Sequence, residues 1–267
     1  MDTLAGPEQV VKVCECQPTA VGRVVVICAE QRQHPLRTRN KQVYRPGKAL
    51  FNPSAAALRE KYGIQTFVLP ADLSTEAGCG VVEDYVRTYP MEVLINNAGF
   101  GIKYSFTNSD ITAEQELLDV LVRTPMRLMH VVLPGMKERN SGVVINVSSV
   151  ASFIAGGTYS ASKSYLTVLT ESINTELKNT NIKVSALCPG FTRTEFHQRG
   201  KMKMTGLPKF MWLNADAVVA KAWDDAQAGK PVSIPGWQYK LLVAIVSIAP
   251  RKFVRNIGMN IRRKQRG

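Results

Sequence analysis

The chain has 267 residues, of which 45% are hydrophobic and 21% are charged, as in an ordinary globular protein. This composition excludes collagen, coiled-coil and largely disordered proteins. The net charge of +13 comes from two basic stretches, residues 31–48 and 251–267, which hold six and seven Lys or Arg and no acidic residue. The rest of the chain is neutral overall, which argues against a nucleic-acid-binding domain.

Targeting and metal-binding signals are weak in this sequence. The N-terminal residues lack the basic and apolar segments of a secretory signal, so we expect a cytoplasmic protein. The longest apolar run near the C-terminus, residues 241–249, is shorter than the roughly 20 residues that a membrane-spanning helix needs. The five cysteines show no paired C-x-x-C spacing, which predicts neither a disulfide framework nor a metal site.

The first 52 residues have a weaker structural pattern than the rest. Residues 9–14 and 24–28 are candidate strands because they are rich in β-branched residues. The stretch that follows, residues 31–47, is polar and basic and has no helical periodicity. We therefore expect residues 10–52 to be partly irregular.

From residue 64 onward, short apolar runs alternate with amphipathic stretches. Candidate strands are residues 66–69, 92–95, 142–147, 183–187 and 231–234. Candidate helices are residues 75–89, 112–137, 159–179 and 215–228, with a shorter one from 52 to 61. This alternation predicts a Rossmann-type, doubly wound parallel sheet in a single α/β domain over residues 1–267. Ligands of such sheets bind at the carboxyl ends of the strands.

Tyr159 and Lys163 are the residues that point most directly to catalysis. Their i, i+4 spacing places both on one face of a helix. A nearby cation lowers the pKa of a tyrosine from about 10, which makes the phenol a better general acid or base. Ser149 follows a strand ten residues earlier, where its hydroxyl can hold a carbonyl oxygen. Taken singly, the pair is also compatible with a surface helix, and Ser149 with a turn cap.

Residues 64–240 resemble the short-chain dehydrogenase/reductase family. The matching segments occur in the family's order and on the expected elements: Asp72, residues 96–99 (Asn-Asn-Ala-Gly), Ser149, Tyr159, Lys163 and residues 189–194 (Pro-Gly-Phe-Thr-Arg-Thr). The resemblance covers about two thirds of the chain. It implies a Rossmann-type fold and an enzyme that moves hydride between NAD or NADP and an alcohol or carbonyl group.

The resemblance also implies a role for individual residues. Tyr159 is the expected proton donor or acceptor, Lys163 lowers its pKa and binds the nicotinamide ribose, and Ser149 orients the substrate oxygen. Seven further residues are expected at the cofactor: Asp72 at the adenine; Asn96, Ala98 and Gly99 along the cleft; Pro189, Gly190 and Thr192 beside the nicotinamide and diphosphate. Asn97 is interpreted instead as a residue that ties neighbouring strands together.

Two positions depart from the family pattern. The helix after residue 99 normally carries an asparagine that supports a water chain to the lysine, and Leu121 stands there. The family's first turn is rich in glycine, which lets backbone amides approach the pyrophosphate. Residues 14–22 contain one glycine and also hold Pro18, and the carboxylate of Glu15 would repel a phosphate. This second departure puts tight cofactor binding in question.

We therefore expect an NAD(P)-dependent oxidoreductase, with a preference for NADP because basic residues follow the second candidate strand. The alternative is a protein of the same fold that binds dinucleotide poorly, either a pseudoenzyme or the product of a degraded gene. An apolar substrate is predicted from a set of nonpolar side chains near the motifs: Phe153, Ile154, Phe191, Phe196 and Met202.

The C-terminal extension, residues 238–267, combines an apolar helix with a basic tail. One interpretation is a packing helix with a solvated end. The other is peripheral contact with an anionic membrane surface, since basic clusters beside apolar helices favour it. Self-association into a homo-oligomer is a further expectation, based on the family resemblance alone.

Overall fold

The computed structural model describes residues 9–12, 24–31, 53–63, 66–102, 104–194 and 208–255. Within these residues, six strands form one sheet whose spatial order follows the chain. They are β1 (Gln9–Lys12), β2 (Val24–Gln31), β3 (Val93–Asn96), β4 (Gly142–Val147), β5 (Ile182–Leu187) and β6 (Val232–Ser233). β1 pairs antiparallel with β2, and all pairs from β2 to β6 are parallel. The predicted parallel sheet is therefore confirmed.

Two features of the sheet differ from the sequence prediction. Residues 66–69 are not a strand, because they pair with no strand among the described residues. Of these four residues, only Leu69 is buried in the core. β1 and β2 form an antiparallel pair rather than two parallel strands of the sheet. The predicted departure at residues 14–22 lies outside the described residues, as does most of the basic stretch 31–48.

Seven helices accompany the described strands. They are α1 (Pro53–Tyr62), α2 (Glu76–Thr88), α3 (Ile111–Leu118), α4 (Thr124–Arg139), α5 (Thr158–Glu176), α6 (Ala215–Gln227) and α7 (Trp237–Ile248). A π-helical turn, Asp119–Arg123, joins α3 to α4. Residues 251–255 form one further helical turn.

Polar residues mark where several helices begin. Thr75, Asp110 and Asn214 stand before α2, α3 and α6, and each side chain accepts a hydrogen bond from a backbone N–H of the first turn. These bonds satisfy amide groups that have no partner within the helix. α4 ends at Asn140 in the left-handed conformation, with φ of 48°. The helix boundaries thus follow from local side-chain chemistry.

The helices cover the two faces of the sheet. On one face the core includes Leu94 and Val144 of the strands together with Leu128 and Leu166 of α4 and α5. On the other face α6 packs against β4 and β5. Burial on both sides explains why the strands read as nearly continuous apolar runs. No helix in the described part of the chain is long and apolar enough to cross a bilayer.

Candidate active site

The ends of β4 and β5 meet at one edge of the sheet, where a cavity of about 480 Å³ opens. β4 ends at Val147 and is followed by Ser148 and Ser149, while β5 leads into residues 188–190. Gly157, with φ of 83°, directs the chain into α5 two residues before Tyr159. The cavity lies where a parallel sheet is expected to bind its ligand.

The structure brings Ser149, Tyr159 and Lys163 together in this cavity. The Ser149 side chain is hydrogen-bonded to the phenol of Tyr159. Nζ of Lys163 lies 5.8 Å from the centroid of the Tyr159 ring. Lys163 is almost completely buried, and its Nζ donates a 2.6 Å hydrogen bond to the carbonyl oxygen of Val147. The three groups form a compact cluster with two proton donors and a cation.

Burial controls the ionisation of this cluster. It raises the pKa of Tyr159 to about 12, although the hydrogen bond from Ser149 lowers it in part. Burial also lowers the pKa of Lys163 to about 8, because the charged ammonium loses its hydration. A neighbouring cation is expected to lower the pKa of Tyr159. In the protein alone, desolvation is the largest influence on the phenol and its pKa lies above the ordinary value, so the effect of Lys163 on it stays a prediction.

The two serines after β4 have different surroundings. Ser148 is buried, and its hydroxyl donates to the carbonyl oxygen of Lys163 and exchanges a 2.7 Å hydrogen bond with Thr167. Ser149 lines the cavity, and its hydroxyl also accepts a hydrogen bond from the backbone N–H of Ala151. Ser148 therefore holds α5 against the end of β4. Ser149 both caps the turn that follows it and faces the cavity.

The two asparagines at the end of β3, Asn96 and Asn97, have exchanged the roles expected for them. The Asn96 side chain donates a 2.8 Å hydrogen bond to Asn146 on β4, so it is the one that ties neighbouring strands. Asn97 and Gly99 line the cavity. Asn96 and Ala98 instead line a separate void of about 10 Å³ that also touches Leu121 and Lys163. The reason is the alternation of side chains along an extended segment.

Leu121, the residue that departs from the family pattern, is buried in the π-helical turn. A β-carbon on Gly99 would lie 2.9 Å from Cδ2 of Leu121 and 3.7 Å from Nζ of Lys163. A side chain at this position would therefore displace the end of the Leu121 side chain and would be in van der Waals contact with Lys163. The Leu121 side chain offers no hydrogen bond there.

The loop after β5 is fixed by a contact that the sequence did not indicate. Pro189, Gly190 and Thr192 line the cavity, as expected. The ring of Tyr239, from α7, packs directly on Gly190. Its hydroxyl accepts a 2.9 Å hydrogen bond from the N–H of Phe191 and donates a 2.5 Å bond to the carbonyl oxygen of Met211. Tyr239 therefore ties the loop, α7 and the segment before α6 into one wall.

The remaining wall of the cavity is mainly apolar. Phe153, Ile154 and Phe191 contribute to it as predicted, while Phe196 and Met202 lie outside the described residues. Six further apolar residues of the lining belong to α6 and α7, which the sequence pattern does not place at the site: Ala215, Val218, Val219, Leu242, Val243 and Val246. An apolar periodicity shows that a helix packs, but it does not show against what it packs.

Asp72 lies apart from this cavity. One of its carboxylate oxygens accepts hydrogen bonds from the backbone N–H and hydroxyl of Ser74, which places it in the turn before α2.

The residues that line the cavity fit the nicotinamide half of a dinucleotide, because Lys163, Asn97 and Thr192 offer polar groups beside the open backbone at Gly99. The turn predicted for the pyrophosphate lies outside the described residues. Among the described residues, no group of His, Cys, Asp and Glu could hold a metal ion.

Comparisons with known proteins agree with this geometry. The ketoacyl reductase HetN of Nostoc is 31% identical over 173 residues, which is 60% of this chain and 59% of that protein. A very-long-chain 3-oxoacyl-CoA reductase of Laccaria bicolor is 26% identical over 205 residues, which is 73% of this chain and 60% of that protein. The alignments thus span about three fifths of the length of both relatives.

Solved structures show the same fold. A short-chain dehydrogenase of Sphingobium yanoikuyae in complex with NADPH superimposes with a TM-score of 0.65 at 27% identity, over 73% of this chain and 80% of that one. A 7beta-hydroxysteroid dehydrogenase superimposes with a TM-score of 0.70 at 21% identity, over 76% and 81% of the two chains. The sequence profile of short chain dehydrogenases matches residues 40–204. The chain belongs to the short-chain dehydrogenase family of oxidoreductases.

Proposed function

We propose that this protein is an NAD(P)-dependent oxidoreductase that interconverts an oxo group and a hydroxyl group on an apolar substrate. The observation that carries the proposal is the joint presence of Ser149, Tyr159 and Lys163 in the lining of a cavity that is otherwise mainly apolar. The ketoacyl and 3-oxoacyl-CoA reductases among the relatives support an oxo group as the reacting centre.

Each residue of the cluster has a distinct role in this proposal. The Tyr159 phenol is protonated at neutral pH and donates its proton to the substrate oxygen as a carbonyl is reduced. The Ser149 hydroxyl donates a hydrogen bond to the same oxygen and orients the carbonyl. Lys163, whose pKa is about 8, is charged near neutral pH and stabilises the phenolate that is left behind. The nicotinamide supplies or accepts the hydride when the cofactor is bound.

The cofactor contacts are proposed in two groups. Asn97, Gly99, Lys163 and Thr192 face the cavity and are the proposed contacts for the nicotinamide half. Asp72 stays the proposed contact for the adenine. NADPH is the proposed form of the cofactor, which the NADPH complex of a structural neighbour supports.

The test is the turnover of 3-oxoacyl thioesters and bulky ketones by wild type and Tyr159→Phe, followed through NADPH oxidation. We expect Tyr159→Phe to lose about 10²–10⁴ in kcat, as for removal of a general acid. Tyr165→Phe is the matched control, because Tyr165 lies on the same helix but is exposed and bonds to Met126. It should retain the activity of the wild type.

Thermal unfolding with NADPH and NADH tests the cofactor separately. A rise of the melting temperature with NADPH, in wild type and Tyr159→Phe alike, supports the proposed enzyme. If neither dinucleotide changes the melting temperature and no carbonyl substrate is reduced, the protein is instead the catalytically impaired member of the family. Unchanged turnover in Tyr159→Phe would contradict the role of the phenol.

A further inference from the structure

The helix α7 is apolar on both of its sides. Its inner side carries Tyr239, Val243 and Val246, which are buried and line the cavity. Its outer face consists of Trp237, Leu241, Ile245 and Ile248, whose side chains are between 46% and 86% exposed. A helix that only covers a core is apolar on one side and polar on the other. Packing within the part of the chain that the structure describes therefore explains the inner side alone.

The four residues of the outer face form one continuous stripe. At 100° per residue, they fall within an arc of about 80° on the helix surface. Ala244, which lies about 20° beyond one edge of this arc, is also exposed. Exposed apolar side chains are ordinary when scattered, but a contiguous patch of large ones marks a binding surface.

Within the described residues 237–255, α7 and the turn that follows it carry basic side chains and no acidic ones. Lys240 is exposed on α7 itself, and Arg251, Lys252 and Arg255 are exposed on the turn that follows. Phe253, between them, is about half exposed. From residue 231 to the C-terminus the sequence contains eight Lys or Arg and no Asp or Glu. The surface thus combines large apolar side chains with a positive charge, which is complementary to an anionic bilayer.

We propose that the outer face of α7 docks on the surface of an anionic lipid bilayer. The helix has 12 residues and lies along the surface rather than across it. Trp237 stands at one end of the stripe, in keeping with the preference of tryptophan for the membrane interface. Each Lys or Arg that reaches the surface strengthens binding by about fivefold, and salt screens this contribution.

Docking would place the bilayer and the cavity on opposite sides of one helix, which is about 10 Å thick. Val219 of α6 is largely exposed and also lines the cavity, so the cavity reaches the surface at a wall to which both α6 and α7 contribute. A substrate dissolved in the lipid then has a short path to Ser149 and Tyr159. This consequence rests on the proposed function, whereas binding to lipid does not.

The test is co-sedimentation of the full-length protein with vesicles of phosphatidylcholine, alone or mixed with phosphatidylglycerol. We expect the wild type to bind the anionic vesicles at about 0.1 M salt and to dissociate at about 1 M, where the Debye length falls from roughly 10 to 3 Å. Binding to pure phosphatidylcholine should be at least tenfold weaker. The fluorescence of Trp237 should shift to shorter wavelength on binding, and Trp237→Phe should lose that shift.

Variants separate the apolar stripe from the general charge. The double variant Leu241→Gln with Ile248→Gln keeps every charge and should bind anionic vesicles more than tenfold more weakly, because two large apolar side chains are lost from the interface. Ile111→Gln is the matched control, because it is equally exposed but lies on α3, and it should bind like the wild type. Circular dichroism and melting temperature show that the variants are folded.

Three results would overturn the proposal. One is a wild-type protein that stays in the supernatant with anionic vesicles at low salt. Another is a double variant that sediments as well as the wild type. The third is a wild-type dimer in analytical ultracentrifugation that binds no lipid and becomes a monomer in the double variant, which would show that the outer face contacts a second copy of the chain.

Discussion

The contact between Gly190 and Tyr239 predicts that one added methyl group will destabilise the candidate site. A β-carbon at position 190 would lie 2.0 Å from Cζ of Tyr239 and 2.2 Å from both Cε atoms. The ring is completely buried, and its hydroxyl is bonded to both Phe191 and Met211. The ring therefore has to move in Gly190→Ala, and the two hydrogen bonds are stretched or broken when it does.

The expected cost follows from these two effects. Forcing a side chain out of a packed position costs about 1–3 kcal/mol. Each weakened hydrogen bond adds about 0.5–1.5 kcal/mol. Gly190→Ala should thus lower the free energy of unfolding by about 2–6 kcal/mol. For a chain of this size the melting temperature should fall by roughly 10 °C.

Urea unfolding, followed by circular dichroism, measures this cost against two references. Gly80→Ala is the matched control, because a β-carbon on this α2 residue meets no atom within 4 Å. Since glycine is unfavourable inside a helix, Gly80→Ala should be neutral or gain up to about 1 kcal/mol. In a Tyr239→Leu background, where the ring is gone, Gly190→Ala should cost less than about 1 kcal/mol. An equal cost in both backgrounds would refute the explanation by steric overlap.

Four further predictions concern polar side chains. Asn96→Ala should lower the free energy of unfolding by about 1–3 kcal/mol, because Asn146 loses a buried donor; Asn97→Ala should instead weaken NADPH binding in calorimetric titration and leave stability unchanged. Burial lowers the pKa of Lys163 to about 8, so above that pH the unfolded chain binds a proton that the folded chain has lost, and this group raises stability from pH 8 to about 10. The buried thiols of Cys79 and Cys188, whose pKa values are raised, act in the opposite direction. In urea titrations, the stability of wild type relative to that of Lys163→Met should therefore rise over this range. Burial by itself would raise the pKa of Asp225, but hydrogen bonds from two lysines and a serine outweigh it and hold the pKa at about 2. The stability of wild type should therefore fall as the pH drops from about 4 to 2, and Asp225→Asn should lose less stability over that range.

The sequence predicts the parts of this fold that depend on local pattern. Alternating apolar runs and amphipathic stretches located the parallel strands and the helices to within a few residues. The i, i+4 spacing of Tyr159 and Lys163 was enough to place both on α5, since helical geometry is independent of the rest of the chain. The segment 66–69 was assigned to a strand because apolar β-formers look alike whether or not a partner strand is present.

Contacts between distant segments lie beyond such patterns. Nothing in the sequence near Gly190 indicates that Tyr239, 49 positions later, will cover it. The roles of Asn96 and Asn97 depend on which side of the extended segment each side chain projects from. A shift of the strand register by one residue would exchange the two roles. The apolar wall from α6 and α7 was missed for the same reason. Sequence spacing fixes neighbours within an element, whereas the chain topology decides neighbours between elements.

Ionisation in the cluster shows most clearly why burial has to be known. From spacing alone, a cation one turn away favours the phenolate of Tyr159. In the folded protein both groups are desolvated, which penalises phenolate and ammonium alike, and the pKa values move to about 12 and about 8. Removing a proton from the phenol then requires a higher pH than removing one from the lysine. Under the proposed role, Tyr159 is therefore in its acid form at neutral pH, which is the form that can donate a proton to a carbonyl oxygen.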